Sequence, residues 1–363
     1  MPLDVFQSSQ SPHVPADQPE PQAVLSPLTT AAAFLVVTVP ADAAAAARVL
    51  AVASDIGSLV RAVGFREPTA SLSCIVGLGS DFWDRVRPTG SPRPAQLHPF
   101  RAVTGASHDA PSTPGDLLFH IRANRPDLVF ELTRVLMDAL GGDVHVEDHV
   151  TGFRYFDSRD LLGFVDGTEN PTGKGAAGAA LIAEDQEPNF VGGSYVTVQK
   201  YVHDMGAWHA LSTEEQEHVI GRTKLDDVEL DEAVMPTNSH VSLNTIVEED
   251  GTERDILRDN MAFGDPSHGE MGTYYIAYAS DPSITERMLE RMFVGDPPGN
   301  YDHILDVSTA QTGTQFFVPS LDLLESLPDD LPDEGDAADE DVPTDTTTPT
   351  ESLSIGSLRG TES

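Results

Sequence analysis

Residues 163–171 read Gly-Phe-Val-Asp-Gly-Thr-Glu-Asn-Pro, and our interpretation of the chain works outward from this stretch. Its carboxylate, Asp166, stands between an apolar pair and a glycine, which is an unusual place for a charge. Phe164 and Val165 favour burial, whereas Gly167 permits a turn with positive φ and a close approach of the backbone to a bulky group. The pattern therefore predicts that Asp166 lies in the wall of a pocket. An exposed turn is the alternative, because Asp-Gly followed by Asn-Pro is common in turns.

Two later segments extend this pattern. Asn238-Ser239-His240 comes first, and residues 256–264 read ILRDNMAFG. Together with GFVDGTENP, and in this order, the segments resemble the motifs of dye-decolorising peroxidases, haem enzymes of the dimeric α+β barrel superfamily. The resemblance is closest to the bacterial B-type branch and covers about residues 25–320. It implies an α+β fold of two duplicated ferredoxin-like units, with antiparallel sheets and a haem crevice.

The composition limits the kind of partner. The 363 residues include 59 acidic and 21 basic side chains, a formal net charge of −38, and 39% of the residues are hydrophobic. Nucleic acids and anionic membrane surfaces attract basic patches, so neither is expected as a partner. No apolar run approaches the roughly 18 residues that span a bilayer. Cys74 is the single cysteine, which excludes an intrachain disulfide and fits a reducing compartment, so we expect a cytoplasmic protein.

The spacing of hydrophobic residues predicts one ferredoxin-like unit in each half of the chain. In the first half we predict a strand, a helix, a strand, a loop, a strand, a helix and a strand, at residues 33–39, 41–63, 71–79, 88–114, 115–122, 125–140 and 144–156. Without the loop, this is the order of a ferredoxin-like unit. The second half repeats it more faintly, with strands at 194–201 and 272–279, a helix capped by Ser212, and a helix at 282–293.

These elements divide the chain into five parts. We predict a flexible arm at 1–22, an N-terminal half at 23–160, a C-terminal half with the haem pocket at 161–325, an acidic disordered linker at 326–351 and a terminal peptide at 352–363. The arm is rich in Pro, Gln and Ser, and the linker contains ten acidic and no basic side chains. Such segments bury too little apolar surface to offset the entropy lost on ordering.

A haem iron that reacts with peroxide needs one protein ligand and one open position, and histidine is the usual ligand. The residues alone do not choose among the histidines, since five compete in the second half, namely His203, His209, His218, His268 and His303. The resemblance implies that His240, which precedes the strand-like Val241-Ser242-Leu243, binds the iron. An acidic group on the other ring nitrogen is expected as well. Asp302 is our candidate for it, with Asp306, one turn away, as the alternative.

Cleavage of peroxide requires a base that moves a proton from the near oxygen to the far one, and a fixed positive charge. The resemblance implies that Asp166 carries the proton, that Arg258 supplies the charge and that Asn260 orients peroxide or a water molecule. A surface arginine at the end of a strand is the alternative for Arg258 taken alone. We predict that Arg222 binds a haem propionate, since a guanidinium pairs with a carboxylate through two hydrogen bonds.

The resemblance thus implies a haem b enzyme that reduces hydrogen peroxide and oxidises a small organic reductant, such as a dye-like or phenolic compound. A haem-binding or haem-handling protein of the same fold without significant turnover is the alternative, and a non-haem ferredoxin-like binding module is a more distant one. We also expect a homo-oligomer. Several aromatic residues could relay electrons to the surface, although a place in the core explains most of them better: Trp208, Tyr201, Tyr274, Tyr275 and Tyr278.

The end of the chain is no longer acidic like the linker and contains apolar residues again. Residues 352–360 read SLSIGSLRG, which places Leu353, Ile355 and Leu358 after a strongly acidic stretch. The segment resembles the targeting peptide through which cargo enzymes dock inside encapsulin nanocompartments. It implies an encapsulin shell protein as a partner, because an extended peptide can seat alternate apolar side chains in pockets. A frayed terminus without a partner is the alternative.

Overall fold

The structure is a computed structural model that describes residues 19–331, so most of the predicted arm, most of the linker and the whole terminal peptide lie outside the described residues. The strands, in chain order, are β1 Ala31–Thr38, β2 Ser73–Gly79, β3 Val103–Thr104, β4 Asp109–Ala110, β5 Leu117–Ala123, β6 His145–Phe153, β7 Ser194–His203, β8 Ile246–Val247, β9 Glu253–Arg254, β10 Leu257–Arg258, β11 Met261–Asp265, β12 Glu270–Ala279, β13 Ser308–Ala310 and β14 Thr314–Val318. The α-helices are α1 Ala43–Ser54, α2 Ile56–Gly64, α3 Ser80–Val86, α4 Pro126–Leu140, α5 Lys174–Ala180, α6 Met205–Ala210, α7 Thr213–Ile220, α8 His240–Asn244, α9 Pro282–Phe293 and α10 Leu321–Ser326.

Eight of these strands form a sheet that closes on itself through antiparallel pairings. The order around it is β12-β11-β6-β1-β5-β2-β14-β7, and the pairing of β7 with β12 closes the ring. Each half of the chain supplies four adjacent strands. When the four strands of each half are numbered in chain order, their spatial order is 4-1-3-2 in both halves. This is the strand order of a ferredoxin-like unit. The prediction of two duplicated units with antiparallel sheets is therefore confirmed.

The two halves meet at two short seams. At one seam β2 pairs with β14 through Leu78 and Gly79, opposite Phe317 and Phe316. At the other, β6 and β11 are joined by the pair Phe153 and Ala262. Within a half the pairing is longer, since β7 and β12 share eight residue pairs. The fold is thus two continuous sheets joined edge to edge.

Strand β1 shows how the closed sheet separates two apolar cores. Its residues alternate, because successive side chains of a strand point to opposite faces. Phe34 and Val36 pack inside the closed sheet with Tyr274. Leu35 and Val37 pack outside it, against the helices of the first half. Both faces are buried, so β1 is a nearly continuous apolar run.

Four sequence predictions need correction in detail. The helix predicted over 41–63 is two helices, because Asp55 ends α1 and its side chain accepts a hydrogen bond from the hydroxyl of Ser58 in α2 at 2.6 Å. The predicted loop at 88–114 contains the small ribbon β3–β4. The strand-like Val241-Ser242-Leu243 belongs to helix α8, which Ser239 caps by accepting from the backbone N–H of Ser242.

The fourth correction concerns the ends of the folded part. Gln22, predicted to lie in the arm, is buried and bonded to strand β2, because Nε2 donates to Val76 O at 2.9 Å and Oε1 accepts from Val76 N at 2.8 Å. At the other end α10 and a 3-10 turn at Leu327–Asp330 continue past the predicted start of the linker. Leu327 is fully buried there. The folded part therefore includes Gln22 and Leu327, beyond the predicted boundaries on both sides.

Between residues 19 and 331, no single helix is long and apolar enough to cross a bilayer. Helices α1 and α2 together reach that length and apolar composition, but the chain bends by 46° between them.

Candidate active site

A large cavity lies in the second half of the chain, on the outer side of the closed sheet. Its empty space is about 1450 Å³, a figure that includes the part open to solvent. Much of its lining is apolar and includes Leu162, Phe164, Ile220, Met288, Leu289 and Met292. Five of the six predicted site residues also line it, namely Asp166, Arg222, His240, Arg258 and Asn260. Residues up to 94 positions apart, Asp166 and Asn260, therefore converge on one space, which can take a large apolar group.

The sixth predicted residue, Asp302, lies directly behind His240. His240 is the first residue of α8, and its Nδ1 lies 2.7 Å from Oδ2 of Asp302, which is fully buried. The other oxygen of Asp302 accepts the backbone N–H of Ile304 at 3.0 Å and so caps a 3-10 turn. A bond from the backbone N–H of His303 to Asn238 O, at 3.3 Å, joins this turn to the loop before α8.

Asp306, the alternative partner, is engaged elsewhere. Its carboxylate bonds Nδ1 of His303 at 2.7 Å, Nε2 of His108 at 3.1 Å and the hydroxyl of Tyr301 at 2.9 Å. The structure therefore resolves the choice between the two carboxylates as partners of His240 in favour of Asp302. Because Nδ1 is occupied, Nε2 is the ring nitrogen that can bind a metal.

The other competing histidines do not offer a free ring nitrogen in the cavity. His203 lines the cavity, but Nδ1 lies 2.8 Å from Ser308 Oγ and Nε2 lies 3.0 Å from Thr273 Oγ1. His209 and His218 are on α6 and α7 and do not line the cavity. The remaining two bond neighbouring carboxylates, His268 with Asp265 and His303 with Asp306.

Asp166, Arg258 and Asn260 form a second polar group in the cavity wall. Asn260 Nδ2 donates to Asp166 Oδ1 at 3.3 Å, and Asn260 Oδ1 accepts the backbone N–H of Ile276 at 3.1 Å. Arg258 is held by its backbone rather than by its charge. Its Nε is buried and has no hydrogen-bond partner among residues 19–331. A guanidinium with a buried, unused donor is well suited to a negative charge that comes from a ligand.

The stretch at 163–171 forms a turn that serves this group. Gly167 adopts φ +81°, the left-handed region that glycine tolerates, and a Cβ there would approach Asn170 Nδ2 at 3.2 Å. Asn170 in turn bonds the backbone of Arg258 at both polar atoms. The stretch therefore forms a turn and also lies in the wall of the pocket, because the turn is part of that wall.

Two carboxyl groups of the cavity have raised pKa values. Burial raises the pKa of Asp166, and the Arg258 cation and the Asn260 hydrogen bond offset this only in part. Burial and the neighbouring Asp166 raise the pKa of Asp160 to about 7. The carboxyl groups therefore resist ionisation, which is typical of groups that exchange protons.

Arg222 is less free than predicted. It lines the cavity, but Nη1 bonds Glu169 at 2.7 Å and Nε bonds Asp227 at 2.8 Å. A haem propionate at this position would share the guanidinium with two carboxylates of the chain. Binding of a propionate by Arg222 stays a prediction.

Two family models match the chain. The one described as Dyp-type peroxidase, N-terminal, covers residues 21–154, and the one described as Dyp-type peroxidase, C-terminal, covers residues 157–323. The chain belongs to the Dyp-type peroxidase family. The two matched segments correspond closely to the two ferredoxin-like units described above.

Relatives with the same fold are similar over most of their length. The dye-decolorizing peroxidase of Mycobacterium tuberculosis is 54% identical over 96% of this chain and 98% of its own. A variant of DypB from Rhodococcus jostii, solved in complex with haem, is 61% identical with a TM-score of 0.82, over 85% of this chain and 99% of its own. The encapsulated Dyp-type peroxidase of Mycobacterium smegmatis is 58% identical with a TM-score of 0.81, over 85% of this chain and 98% of its own. The predicted family and the predicted peroxidase class are confirmed.

The cavity of this Dyp-type peroxidase suits a haem on the evidence of its own donors. It combines a large apolar lining, one imidazole whose Nδ1 is tied to a buried carboxylate, and a guanidinium with an unused buried donor. One axial nitrogen with open space beyond it is the arrangement that haem enzymes use.

Sequence reasoning missed three polar residues of the site. Asn170 clamps Arg258, Asp160 lines the cavity beside Asp166, and Asn244 Nδ2 lies 3.3 Å from Asp302 Oδ2. Asn244 could have been found, because it lies four residues after His240 and so on the same face of a helix. Asn170 stands inside the quoted motif, but its chemistry is also that of an ordinary turn.

The aromatic residues considered for electron transfer divide into two groups. Trp208, Tyr274 and Tyr278 are fully buried core residues, as the composition of their strands and helix suggests. Tyr201 and Tyr275 are mostly buried but also line the cavity. A role in electron transfer stays a prediction for all five.

Proposed function

We propose that the protein is a haem b peroxidase that reduces hydrogen peroxide and oxidises dye-like or phenolic electron donors. The observation that carries this proposal is that one cavity is lined both by His240, whose Nδ1 is bonded to Asp302, and by the Asp166–Arg258–Asn260 group. A protein that only stores haem needs a ligand for the iron, such as the His240–Asp302 pair. The Asp166–Arg258–Asn260 group, here called the distal group, places a carboxyl beside a cation, which is the arrangement that cleavage of peroxide requires.

His240 is the residue that would hold the haem iron, through Nε2. Asp302 accepts the Nδ1 hydrogen, which keeps the ring in one tautomer and one orientation and makes Nε2 more basic. Asn244 adds a bond to the same carboxylate oxygen. Haem as the cofactor, predicted from the sequence, agrees with the haem complex of the Rhodococcus jostii relative.

When bound, the haem would supply the iron to which peroxide adds and the oxidising equivalents that the donor later removes. Asp166 would take the proton from the near oxygen of peroxide and return it to the far one, which leaves as water. Arg258 would stabilise the negative charge that develops on the far oxygen, and Asn260 would hold the Asp166 carboxylate toward the cavity. Over a turnover peroxide takes two electrons and two protons to give two molecules of water, and two donor molecules lose one electron each.

The test uses the full chain reconstituted with haem. We expect a Soret band that changes on mixing with peroxide and returns when a phenolic donor is added, with catalytic loss of donor. The matched control is the double variant Asp166→Asn/Arg258→Leu, which should bind haem but react slowly with peroxide. Haem binding without peroxide turnover in the wild-type protein would overturn the proposal and favour haem handling.

Packaging is a separate part of the proposal. We infer that the enzyme is a homo-oligomer housed in a cytoplasmic encapsulin shell, which it would bind through Leu353, Ile355 and Leu358. These residues lie outside the described part of the chain, so their support comes from the resemblance of residues 352–360 to a targeting peptide and from the encapsulated relative of Mycobacterium smegmatis.

A further inference from the structure

The residue between the two distal side chains faces away from the cavity. Arg258 and Asn260 line the cavity, whereas Asp259 is buried inside the closed sheet with 3% of its surface exposed. Asp259 and Asn260 form the link between β10 and β11, and within it neighbouring side chains reach opposite sides of the sheet. The backbone N–H of Asp259 bonds Ile276 O of β12 at 3.1 Å. Whatever holds the Asp259 side chain therefore also fixes the direction of its two neighbours.

Arg122 holds that side chain from the other half of the chain. It lies on β5, is 1% exposed, and donates through Nη1 to Oδ2 of Asp259. Through Nη2 it also donates to the carbonyl oxygen of Ala23, in the segment that precedes β1. One buried guanidinium thus joins residues 258–260, here called the distal segment, to two elements of the N-terminal half.

Within residues 19–331, the only other basic side chain with a nitrogen within 4.0 Å of the Asp259 carboxylate is His120. Its Nε2 lies 3.8 Å from Asp259 Oδ2 and has no hydrogen-bond partner among the described residues, while its Nδ1 bonds the hydroxyl of Tyr278 at 2.8 Å. Burial lowers the pKa of His120 to about 3, so the ring is neutral near pH 7. The positive charge that compensates Asp259 is therefore that of Arg122.

A buried ion pair is a costly way to stabilise a fold. Moving two charges out of water costs several kcal/mol per ion, and well-packed apolar residues of similar volume are often as stable or more so. The interior around this pair is otherwise mostly apolar, with Phe34 stacked on His120 at 4.8 Å. Stability alone does not explain the pair, whereas fixing one arrangement of the distal segment does.

We propose that Arg122 is a positioning residue for the peroxide reaction, which acts through Asp259 to hold Arg258 and Asn260 toward the cavity. Asp259 reaches the site electrostatically as well, because its charge contributes to the raised pKa of Asp166. The kinetic part of this inference rests on the proposed function, but its structural part can be measured without haem.

The decisive variant is the double substitution Arg122→Met/Asp259→Leu, which removes both charges and replaces them with apolar side chains. The single variant Arg122→Met leaves Asp259 buried without a counter-charge and is expected to lose stability or fail to fold. The double variant should regain thermal stability close to that of the wild type. If the pair only stabilised the fold, this variant would behave as the wild type in every other respect.

Three measurements on the double variant test the positioning role. In the apoprotein, amide hydrogen exchange in a peptide spanning 257–261 should be at least tenfold faster than in the wild type. In the haem-loaded protein, cyanide should bind about tenfold more weakly, and the second-order rate with peroxide should fall about tenfold to a hundredfold, since displacement of a catalytic group by about 1 Å can cost that much. The KM for the electron donor should not change.

A matched control removes an ion pair of the same half away from the cavity. Arg85 and Asp116 are bonded at 2.6 Å and do not line the cavity. Because Asp116 also accepts the backbone N–H of Val39 at 2.7 Å, the variant Arg85→Met/Asp116→Leu should lose stability, but without a change in cyanide affinity or peroxide rate. A second variant, Arg122→Lys, keeps the charge with a single nitrogen and should fall between the wild type and the double variant.

Wild-type exchange at 257–261 together with a wild-type peroxide rate in the folded double variant would overturn the inference. Should the double variant fail to fold, Arg122→Lys with wild-type exchange and wild-type peroxide rate would overturn it equally. Failure of the proposed function would look different, because the wild-type protein itself would then not react with peroxide while the exchange difference remained.

Discussion

Asn170 holds Arg258 by both polar atoms of its backbone. Its Nδ2 donates to Arg258 O at 2.7 Å, and its Oδ1 accepts from Arg258 N at 2.9 Å. The two residues are 88 positions apart, yet a side-chain amide pairs here with a strand as another strand would. Because Asn170 belongs to the same turn as Asp166, the clamp brings the distal carboxyl and the distal cation together as one unit.

Replacing Asn170 with Ala should therefore misplace Arg258 without touching its charge. We expect a loss of about 1–3 kcal/mol in the free energy of unfolding for two hydrogen bonds, and a fall of roughly tenfold or more in the second-order rate with peroxide. Urea unfolding of the apoprotein and stopped-flow mixing of the haem-loaded protein measure the two effects. Asn170→Asp, which keeps the acceptor and loses the donor, should be intermediate. An unchanged peroxide rate in Asn170→Ala would show that the clamp serves folding alone.

Asp302→Asn tests the group behind the iron ligand. The substitution keeps an oxygen near His240 Nδ1 but removes the negative charge that makes the imidazole a stronger donor. We expect a more positive haem reduction potential and a loss of about tenfold to a hundredfold in haem retention or turnover. Asp306→Asn is the matched control, since Asp306 bonds His303 and His108 instead. Equal shifts of the haem reduction potential in both variants would contradict the assignment of Asp302 as the partner of His240.

Replacing His240 with Ala should abolish most haem retention.

Arg258→Leu should slow the reaction with peroxide more than Asp166→Asn does. Removing a preorganised donor that stabilises developing charge typically costs on the order of a hundredfold or more. A water molecule can replace Asp166 as proton carrier, whereas Arg222, a second guanidinium of the cavity, is already paired with Glu169 and Asp227. Stopped-flow spectra after mixing with peroxide compare the variants. A larger loss in Asp166→Asn would reverse the ranking.

The carboxyl of Asp160 should make the stability of the apoprotein depend on pH. Its pKa is about 7 in the folded chain and about 3.9 when unfolded. Between these values the folded state binds more protons than the unfolded state, so the stability that this group contributes falls as pH rises from about 4 to about 7 and then levels off. Asp160→Asn should remove that part of the slope between about pH 4 and 7. The exposed Asp157→Asn on the same loop is the control, and identical slopes in wild type and Asp160→Asn would refute the prediction.

Much of the fold and the main site residues could be predicted because they depend on local patterns. Alternating or continuous apolar runs identified most strands, and the order of elements identified the duplicated units. The motifs at 163–171 and 256–264 named Asp166, Arg258 and Asn260 as candidates, and the structure brings them into one cavity. Their catalytic roles remain predictions.

What could not be predicted depends on contacts between distant parts of the chain. An asparagine before a proline reads as a turn residue, and only the folded chain places Asn170 against Arg258. An arginine in an apolar strand gives no sign that its partner is Asp259, 137 residues away. The helix at His240 was missed for a related reason, since it depends on a single capping side chain, that of Ser239, which apolar spacing does not reveal. Apolar spacing does not reveal the break at Asp55 either.

The last prediction concerns the terminal peptide and is independent of the catalytic ones. Deleting residues 352–363 should leave haem content and peroxidase activity unchanged but abolish co-purification with a coexpressed encapsulin shell protein. Grafting residues 326–363 onto an unrelated monomeric protein should confer packaging.

Burial of Leu353, Ile355 and Leu358 in pockets of the shell would contribute about 1.5 kcal/mol or more each, and an oligomeric cargo would gain further by binding several pockets of a symmetric shell at once. The variant Leu353→Ser/Ile355→Ser/Leu358→Ser should therefore be released, whereas a control with Ser352→Ala and Ser354→Ala should stay packaged. Full packaging of the triple-serine variant, judged by size-exclusion chromatography and gel, would refute the role of the peptide and leave the peroxidase proposal intact.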